Sequence, residues 1–251
     1  MKLIIINFRK NMNPEQTRQF DETLSINLHQ LRSPLGAIRW NLEAVLASKD
    51  SNLPDNTRKK IQYAHDSAVQ MIALIRDMLD ISKIKNSTAS GQPAMVDIGE
   101  IIEELIDSIR SETKAKKISI NYDPGDGQIP ELWLDPERLR GIIENLLANA
   151  INYNKIGGSI TVRVRQIDEN IRIEVADNGI GIPKEFQDKI FTKFYRAPNA
   201  IKFKLDGTGL GLYVVKLYLE AWHGKIWFES QPGSGTTFFL EFPALQAPNK
   251  H

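Results

Sequence analysis

The sequence predicts two architectures in one chain: an all-α helical hairpin, suited to pairing with a second copy as a four-helix bundle, followed by an α+β sandwich. Three observations carry this. Residues 15–48 and 55–85 repeat apolar side chains every three or four positions. A small, polar stretch, Asn86 to Pro93 (NSTASGQP), then interrupts the pattern. Beyond it, helical periodicity alternates with runs of period two, as expected where helices cover a sheet.

Composition sets the bounds. With 251 residues the chain can form one large or two ordinary domains. Hydrophobic residues make up 41% and charged residues 25%, the range of soluble globular proteins. A net charge of +1 gives no electrostatic reason to expect a nucleic-acid partner or a membrane surface. The chain has no cysteine, which excludes disulfides, cysteine-ligated zinc and thiol catalysis and fits a cytoplasmic setting. The opening MKLIIINFRK holds an apolar run too short for a signal-peptide core or a membrane span. Residues 1–14 therefore read as a lead-in, either a short strand or the cut end of something longer such as a truncated sensor linker, and the chain as given is expected to make no membrane contact.

In the first helix the apolar series is Phe20, Leu24, Leu28, Leu31, Leu35, Ile38, Leu42 and Val45. Its steps of 4, 4, 3, 4, 3, 4 and 3 describe a narrow seam. The polar stretch Ser48 to Asn56, with Pro54, ends it. The second helix repeats Ile61, Ala64, Ala68, Met71, Ile75 and Met78, then Ile81 or Ser82. Two such stripes bury little alone, and pairing two hairpins covers both, so residues 15–85 predict a homodimer. His29, one position past Leu28, is expected to flank the seam with its imidazole in water. Pro34 withholds a bond from the Gln30 carbonyl and is expected to bend or loosen the helix there. On its own this is also the pattern of an ordinary surface histidine.

Residues 86–95 read as a hinge linker and 96–247 as the second domain. Asp97 can cap a helix over 98–115, and the stretches at 118–123 and 131–135 read as strands. Asp135, with Pro136 at the first helical position, starts a helix to about Tyr153. SITVRVRQ and IRIEVAD form an antiparallel pair around Asp168 to Asn170. A short helix over 183–191, an irregular polar segment over 195–208 and a helix over 209–223, ended by Gly224, follow. KIWFES and TTFFLEF close the chain as a hairpin.

Three segments of this domain carry candidate chemistry. Asn145 and Asn149 share a helix face and can offer neutral oxygens to a hard cation such as Mg²⁺, which keeps waters and phosphate oxygens in its shell. Asp177-Asn-Gly179-Ile-Gly181-Ile-Pro183 joins a strand to a helix. Its carboxylate can accept from an exocyclic amine, and its glycines permit close backbone approach. Gly207-Thr208-Gly209-Leu210-Gly211-Leu212 enters a helix, where exposed N–H groups favour phosphate. It is neither a Rossmann fingerprint nor a P-loop, since the preceding strand and a following Lys-Ser/Thr are missing. Singly, each segment is also an ordinary helix face, turn or flexible loop. Together, with Phe194, Tyr195, Arg196, Lys202 and Lys204 between the last two, they describe a nucleotide pocket with a cationic lid.

These motifs resemble the sensor histidine kinases of two-component signalling. HQLRSPL, starting at His29, is similar to the phosphoacceptor box, and NLLANAINYN to the asparagine box. DNGIGIP, FTKFYR and GTGLGL resemble the glycine and phenylalanine boxes, in the family's order over about residues 15–245. The resemblance implies a histidine-kinase-type ATPase fold for the second domain, and an enzyme that moves the γ-phosphoryl group of ATP to His29 and on to an aspartate of a response regulator receiver domain. It implies that Asn149, assisted by Asn145, holds Mg²⁺ and that Asp177 binds the adenine amine in a pocket shaped by Gly179 and Gly181. It further implies Tyr153 near the adenine, Gly207, Gly209 and Gly211 along the phosphates, and Arg196 with the lid lysines near the transferred group. Phe194, Thr208 and Leu210 belong to the same boxes. Ser33, four residues after His29, is associated with dephosphorylating the partner.

Two positions depart from the family. Gln30 stands where an acidic residue commonly follows the histidine: its amide oxygen can fix the imidazole tautomer but cannot take a proton. Asn152 stands where many relatives carry a lysine near the phosphates, a charge that Lys155 or a lid lysine could supply. These departures support one competing reading, an ATP-binding signalling scaffold that does not phosphorylate itself; a third, an ATPase of the wider fold family using a different base, is weakened by His29 and its bundle.

Overall fold

The structure, a computed structural model, describes residues 14–48, 53–85, 92–125, 129–204 and 207–244. The chain divides into two compact units, one ending at Ser87 and the other beginning at Thr88.

The first unit is a helical hairpin of α1 (Pro14–Ala47) and α2 (Asp55–Lys85). Leu28 packs with Ile75 and Leu79, and Leu35 and Met78 lie against them. The seam read from the sequence divides in two here. Leu28 is 6% exposed, whereas Leu31, Ile38 and Val45 are 52%, 50% and 40% exposed. The reason is geometric: two helices in contact use one row of a two-row stripe, and the second row keeps facing outward. On α2 the buried positions are Ala68, Ile75, Asp77, Leu79 and Ser82, with Met71 exposed. This corrects the expected series, which omitted Leu79. A straight helix drifts from a strict seven-residue repeat, and the buried face drifts with it. Pro34 removes one backbone bond, yet α1 runs through it as one element. The strand expected before residue 14, the seam side chains Phe20 and Leu24, and the imidazole of His29 lie outside the described residues.

The second unit begins with β1 (Ala94–Val96), followed by α3 (Ile98–Ala115), β2 (Ser119–Asp123), β3 (Leu132–Leu134) and α4 (Pro136–Asn152). Next come β4 (Ser159–Ile167), β5 (Asn170–Asp177) and a 3₁₀ turn over Lys184–Lys189. Then come α5 (Pro198–Phe203), α6 (Gly211–Ala221), β6 (Lys225–Gln231) and β7 (Gly235–Pro243). β1 pairs antiparallel with β3, so Ala94 and Met95 are strand residues rather than linker. The main sheet has the order β2-β4-β5-β7-β6, with only β2–β4 parallel. Helices α3, α4 and α6 form one layer over it, giving the expected α+β sandwich. Ile160, Val162, Val164, Ile171, Ile173 and Val175 alternate inward from β4 and β5 and are buried under that layer.

Local chemistry fixes the helices that matter for the site. The side chain of Asp97 accepts from the N–H of Gly99 and Glu100, and that of Asp135 from Glu137 and Arg138, as N-caps. The segment over 195–208, expected to be irregular, contains α5, with Pro198 pre-set for its first turn. At the end of α6 the left-handed residue is His223 (φ 58°), not Gly224. Gly224 is needed for space, since a methyl group there would come within 2.5 Å of the Glu241 carbonyl. Among the described residues no helix is long and apolar enough to cross a membrane.

Candidate functional site

Helix α4 is the floor of the site. Leu146, Leu147, Ala150 and Ile151 are buried in the core, which turns the half-buried Asn145, Asn149 and Asn152 to another face. Their spacing of four and three residues keeps them on one stripe. Asn145 Nδ2 donates to the Gly141 carbonyl at 3.0 Å. Its Oδ1 faces the first residue of α6: a methyl group on Gly211 would come within 2.1 Å of it. Gly211 is therefore a spacing residue, and its missing side chain lets α6 begin against α4.

Asp177 ends β5. Its Oδ1 accepts from Gly179 N at 2.8 Å and from Thr236 N at 3.3 Å. Burial pushes its carboxyl up to about 6, against these two backbone bonds, which favour the charged form. The following loop folds back on α4: Ile180 N donates to the Tyr153 carbonyl at 3.0 Å. Gly181 takes a left-handed conformation (φ 64°) with the Gln231 carbonyl where a Cβ would lie, so only glycine fits.

The lid segment closes the arrangement. Arg196 Nη2 donates to the Lys204 carbonyl and lies 3.5 Å from the Tyr153 hydroxyl. Gly207 packs on the Arg196 guanidinium. Lys204 Nζ donates to Asn152 Oδ1 at 2.7 Å. Asn199 Nδ2, from α5, donates to the Gly181 carbonyl at 3.0 Å. Thr208 Oγ1 accepts from Leu210 N at 3.1 Å. Gly209 abuts the backbone of Phe194 and Tyr195, and Phe194 itself is left-handed (φ 60°).

Asn145, Asn152, Tyr153, Asp177, Gly179, Gly181, Arg196, Gly207 and Gly211 are thus linked through direct contacts around α4. Asn149 sits on the same helix face, half-buried. Lys202 is exposed on α5, and it is Lys204 that reaches α4. Leu210, grouped with the phosphate glycines, is fully buried and its N–H is taken by Thr208, so its side chain is core. His29, Gln30 and Ser33 lie on α1, where Gln30 and Ser33 are exposed.

Other residues that hold the site together carry no sequence signal of their own. Thr236 reaches Asp177 because β7 pairs with β5 in that register. Ser230 Oγ accepts from Ile182 N at 2.8 Å and bonds Thr236 Oγ1 at 2.8 Å. Buried Asn154 donates to the Ser159 carbonyl, and Asn178 Oδ1 accepts from Ser159 N.

The donor chemistry can be tested against a metal and a nucleotide. Among the described residues no three His, Cys, Asp or Glu cluster to hold a metal ion. The amide oxygens on α4 fit a cation that brings much of its own shell, as Mg²⁺ on a polyphosphate does. A half-buried carboxylate facing glycines fits a flat ligand with an N–H donor.

Comparison with known proteins agrees with this chemistry. The His Kinase A (phospho-acceptor) domain family matches residues 21–87, and the histidine kinase-, DNA gyrase B- and HSP90-like ATPase family matches residues 134–246. The chain is 32% identical over 223 residues to the sensor-like histidine kinase SenX3 of Mycolicibacterium smegmatis, covering 89% of this chain and 57% of SenX3. It is 32% identical over 233 residues to the sensor protein kinase WalK of Staphylococcus haemolyticus, covering 91% of this chain and 37% of WalK. Among solved structures, full-length ShkA is similar with a TM-score of 0.70 at 25% identity, covering 90% of this chain and 46% of ShkA. The chain thus spans 57% or less of the length of each of these three relatives. With a phosphoacceptor-type hairpin followed by a histidine kinase-type ATPase domain, the chain belongs to the sensor histidine kinases of two-component signalling.

Proposed function

We propose that this chain is the core of a homodimeric, cytoplasmic protein-histidine kinase. It binds ATP with Mg²⁺, phosphorylates His29 and passes the phosphoryl group to an aspartate of a response regulator receiver domain. The observation that carries the reading is the convergence on α4 of the Asp177 turn, the Arg196–Lys204 lid and the Gly211 helix start, in a chain whose α1 bears His29. ShkA was crystallised with AMPPNP, which supports an adenine nucleotide here.

In this reading residues 15–85 form the dimer and residues 94–247 the ATP-binding domain. The chain between them is the hinge that lets the domain reach His29 and leave it. Asp177 accepts from the adenine amine in the pocket of Gly179, Gly181 and Tyr153. Asn149 and Asn145 offer amide oxygens to Mg²⁺, and Arg196 balances charge at the phosphates beside Gly207, Thr208 and Gly209. Bound Mg²⁺ would neutralise phosphate charge. A ring nitrogen of His29 attacks the γ-phosphorus; the N–P bond forms as the bond to the β-γ bridging oxygen breaks, ADP leaves, and the ring proton passes to solvent. Catalysis of this kind is mainly positioning and charge stabilisation. The outward row Leu31, Ile38 and Val45 is the surface on which a second hairpin packs. Ser33, one turn from His29 and exposed, orients a water for dephosphorylating the partner.

Gln30 sets the rate. Its amide fixes the tautomer of His29 without accepting the proton, so Gln30→Glu is expected to raise the initial autophosphorylation rate at saturating ATP by at least about tenfold. An unchanged rate contradicts this role. The reading as a whole is tested by incubation with γ-labelled ATP, then with a receiver domain. Label should appear first on this chain and then move to the receiver; a scaffold without kinase activity acquires none.

A further inference from the structure

The turn after Asp177 is fastened by α4, by the β6–β7 hairpin and by the 3₁₀ turn. Ile180 N donates to the Tyr153 carbonyl at 3.0 Å, and the Ile180 carbonyl accepts from Gly233 N at 2.8 Å. Ile182 N donates to Ser230 Oγ, and the Ile182 carbonyl accepts from Gln187 Nε2 at 2.9 Å. The Gly181 carbonyl is held differently. Its partner is Asn199 Nδ2 on α5, at 3.0 Å. Apolar packing does not fix α5 in place: the helix buries no side chain, and Ile201 and Phe203 are exposed. The Asn199 amide is also used on one side alone, since its Oδ1 is buried and has no hydrogen-bond partner. A buried acceptor left unpaired costs stability. The position therefore uses asparagine as a donor to Gly181, at a cost that helix formation in α5 does not explain.

We propose that Asn199 is a positioning residue of the adenine pocket: from α5 it fixes the carbonyl of Gly181, and with it the turn that faces the base. The inference rests on the adenine-nucleotide reading above. It assigns α5 a part in recognising the nucleoside, so breaking the bond weakens a ligand that has no phosphate at all.

Asn199→Asp tests this, because it keeps the shape of the side chain and replaces the NH₂ donor with an acceptor. The full chain and the variant are titrated with adenosine and with ATP in Mg²⁺ buffer. At about pH 8 the carboxylate faces the Gly181 carbonyl, acceptor to acceptor, and adenosine should bind about fivefold more weakly than to the parent. Adenosine is uncharged, so repulsion of phosphate plays no part in that loss. ATP should lose at least as much. A partly buried carboxyl against a carbonyl holds its proton more tightly than usual, and once protonated it donates. At about pH 5.5 the variant should therefore return to the parent's adenosine affinity, which a general disturbance of α5 would not do. The parent is the reference at each pH because Asp177 itself titrates at about 6. The proposal is overturned if adenosine binding is unchanged at the higher pH, if ATP alone is weakened, or if acid fails to restore adenosine binding. Parent protein that binds neither ligand overturns the nucleotide reading and the proposal with it, a different result from nucleotide binding that ignores Asn199.

Discussion

Asp177→Asn is expected to lose ATP and to gain stability at once. Both backbone bonds at this position go to Oδ1, so an asparagine can keep them with its amide oxygen. Its NH₂ then occupies the place of Oδ2 and presents a donor to the adenine amine. A buried donor facing a donor should weaken ATP binding by at least about a hundredfold. The stability effect has the opposite sign. Burial raises the Asp177 carboxyl to about 6, so the folded state holds this proton more tightly than the unfolded chain. The stabilisation from that proton is complete below its ordinary value of 3.8 and is lost as pH rises through about 6. Above that range the folded protein carries a half-buried, partly desolvated carboxylate, and replacing it with a neutral amide should stabilise by about 1–2 kcal/mol. Thermal melts of the nucleotide-free chain should separate the two proteins at pH 7.5 and bring them together towards pH 4. Equal melting at pH 7.5, or retained ATP affinity, contradicts this account of Asp177.

Ile38→Asp is expected to convert a dimer into monomers. Leu31, Ile38 and Val45 recur every seven residues and face outward, while the alternate row, Leu28 and Leu35, packs against α2 within the chain. A second hairpin laid on the outward row would bury Ile38 twice, once from each copy. An aspartate there puts two unpaired carboxylates into an apolar seam at several kcal/mol each, more than a bundle of this size can absorb. Because Ile38 is half exposed within its own hairpin, the substitution should leave helix content unchanged. Light scattering at a concentration where the parent is dimeric should report the monomer mass. A dimer that survives Ile38→Asp places the interface elsewhere.

The hairpin was legible because a heptad is a strong, local signal. Which row packs inside the chain was not, since a two-row stripe reads the same whether its partner is α2 or another copy. The sandwich was legible from its caps and turns. Asp97 and Asp135 each stand before a helix, and Asp168 to Asn170 stand between alternating strands, all signals that act within a few residues. Which candidate residues lie together was legible where they are near in sequence, at Asn145 and Asn149 on α4 or at Asp177 and the glycine that bonds it. It was not legible where partners meet through sheet register or lid folding. Thr236 reaches Asp177 only because β5 and β7 pair, and Ser230 follows from β6 and β7. Lys204 finds Asn152 across fifty-two residues because α5 forms in a segment too short to show helical periodicity. Leu210 misled in the opposite way: it sits between Gly209 and Gly211, yet helix packing takes its side chain into the core.

The central claim is that His29 is the phosphoryl acceptor for a nucleotide bound on α4. The most direct test is to incubate the parent chain and His29→Ala with γ-labelled ATP and Mg²⁺, then to probe the label with acid and base. The account predicts acid-labile, base-stable label on the parent and none on His29→Ala, with both proteins binding ATP equally. Label of that kind on His29→Ala, or ATP binding by a parent that never acquires label, would contradict it.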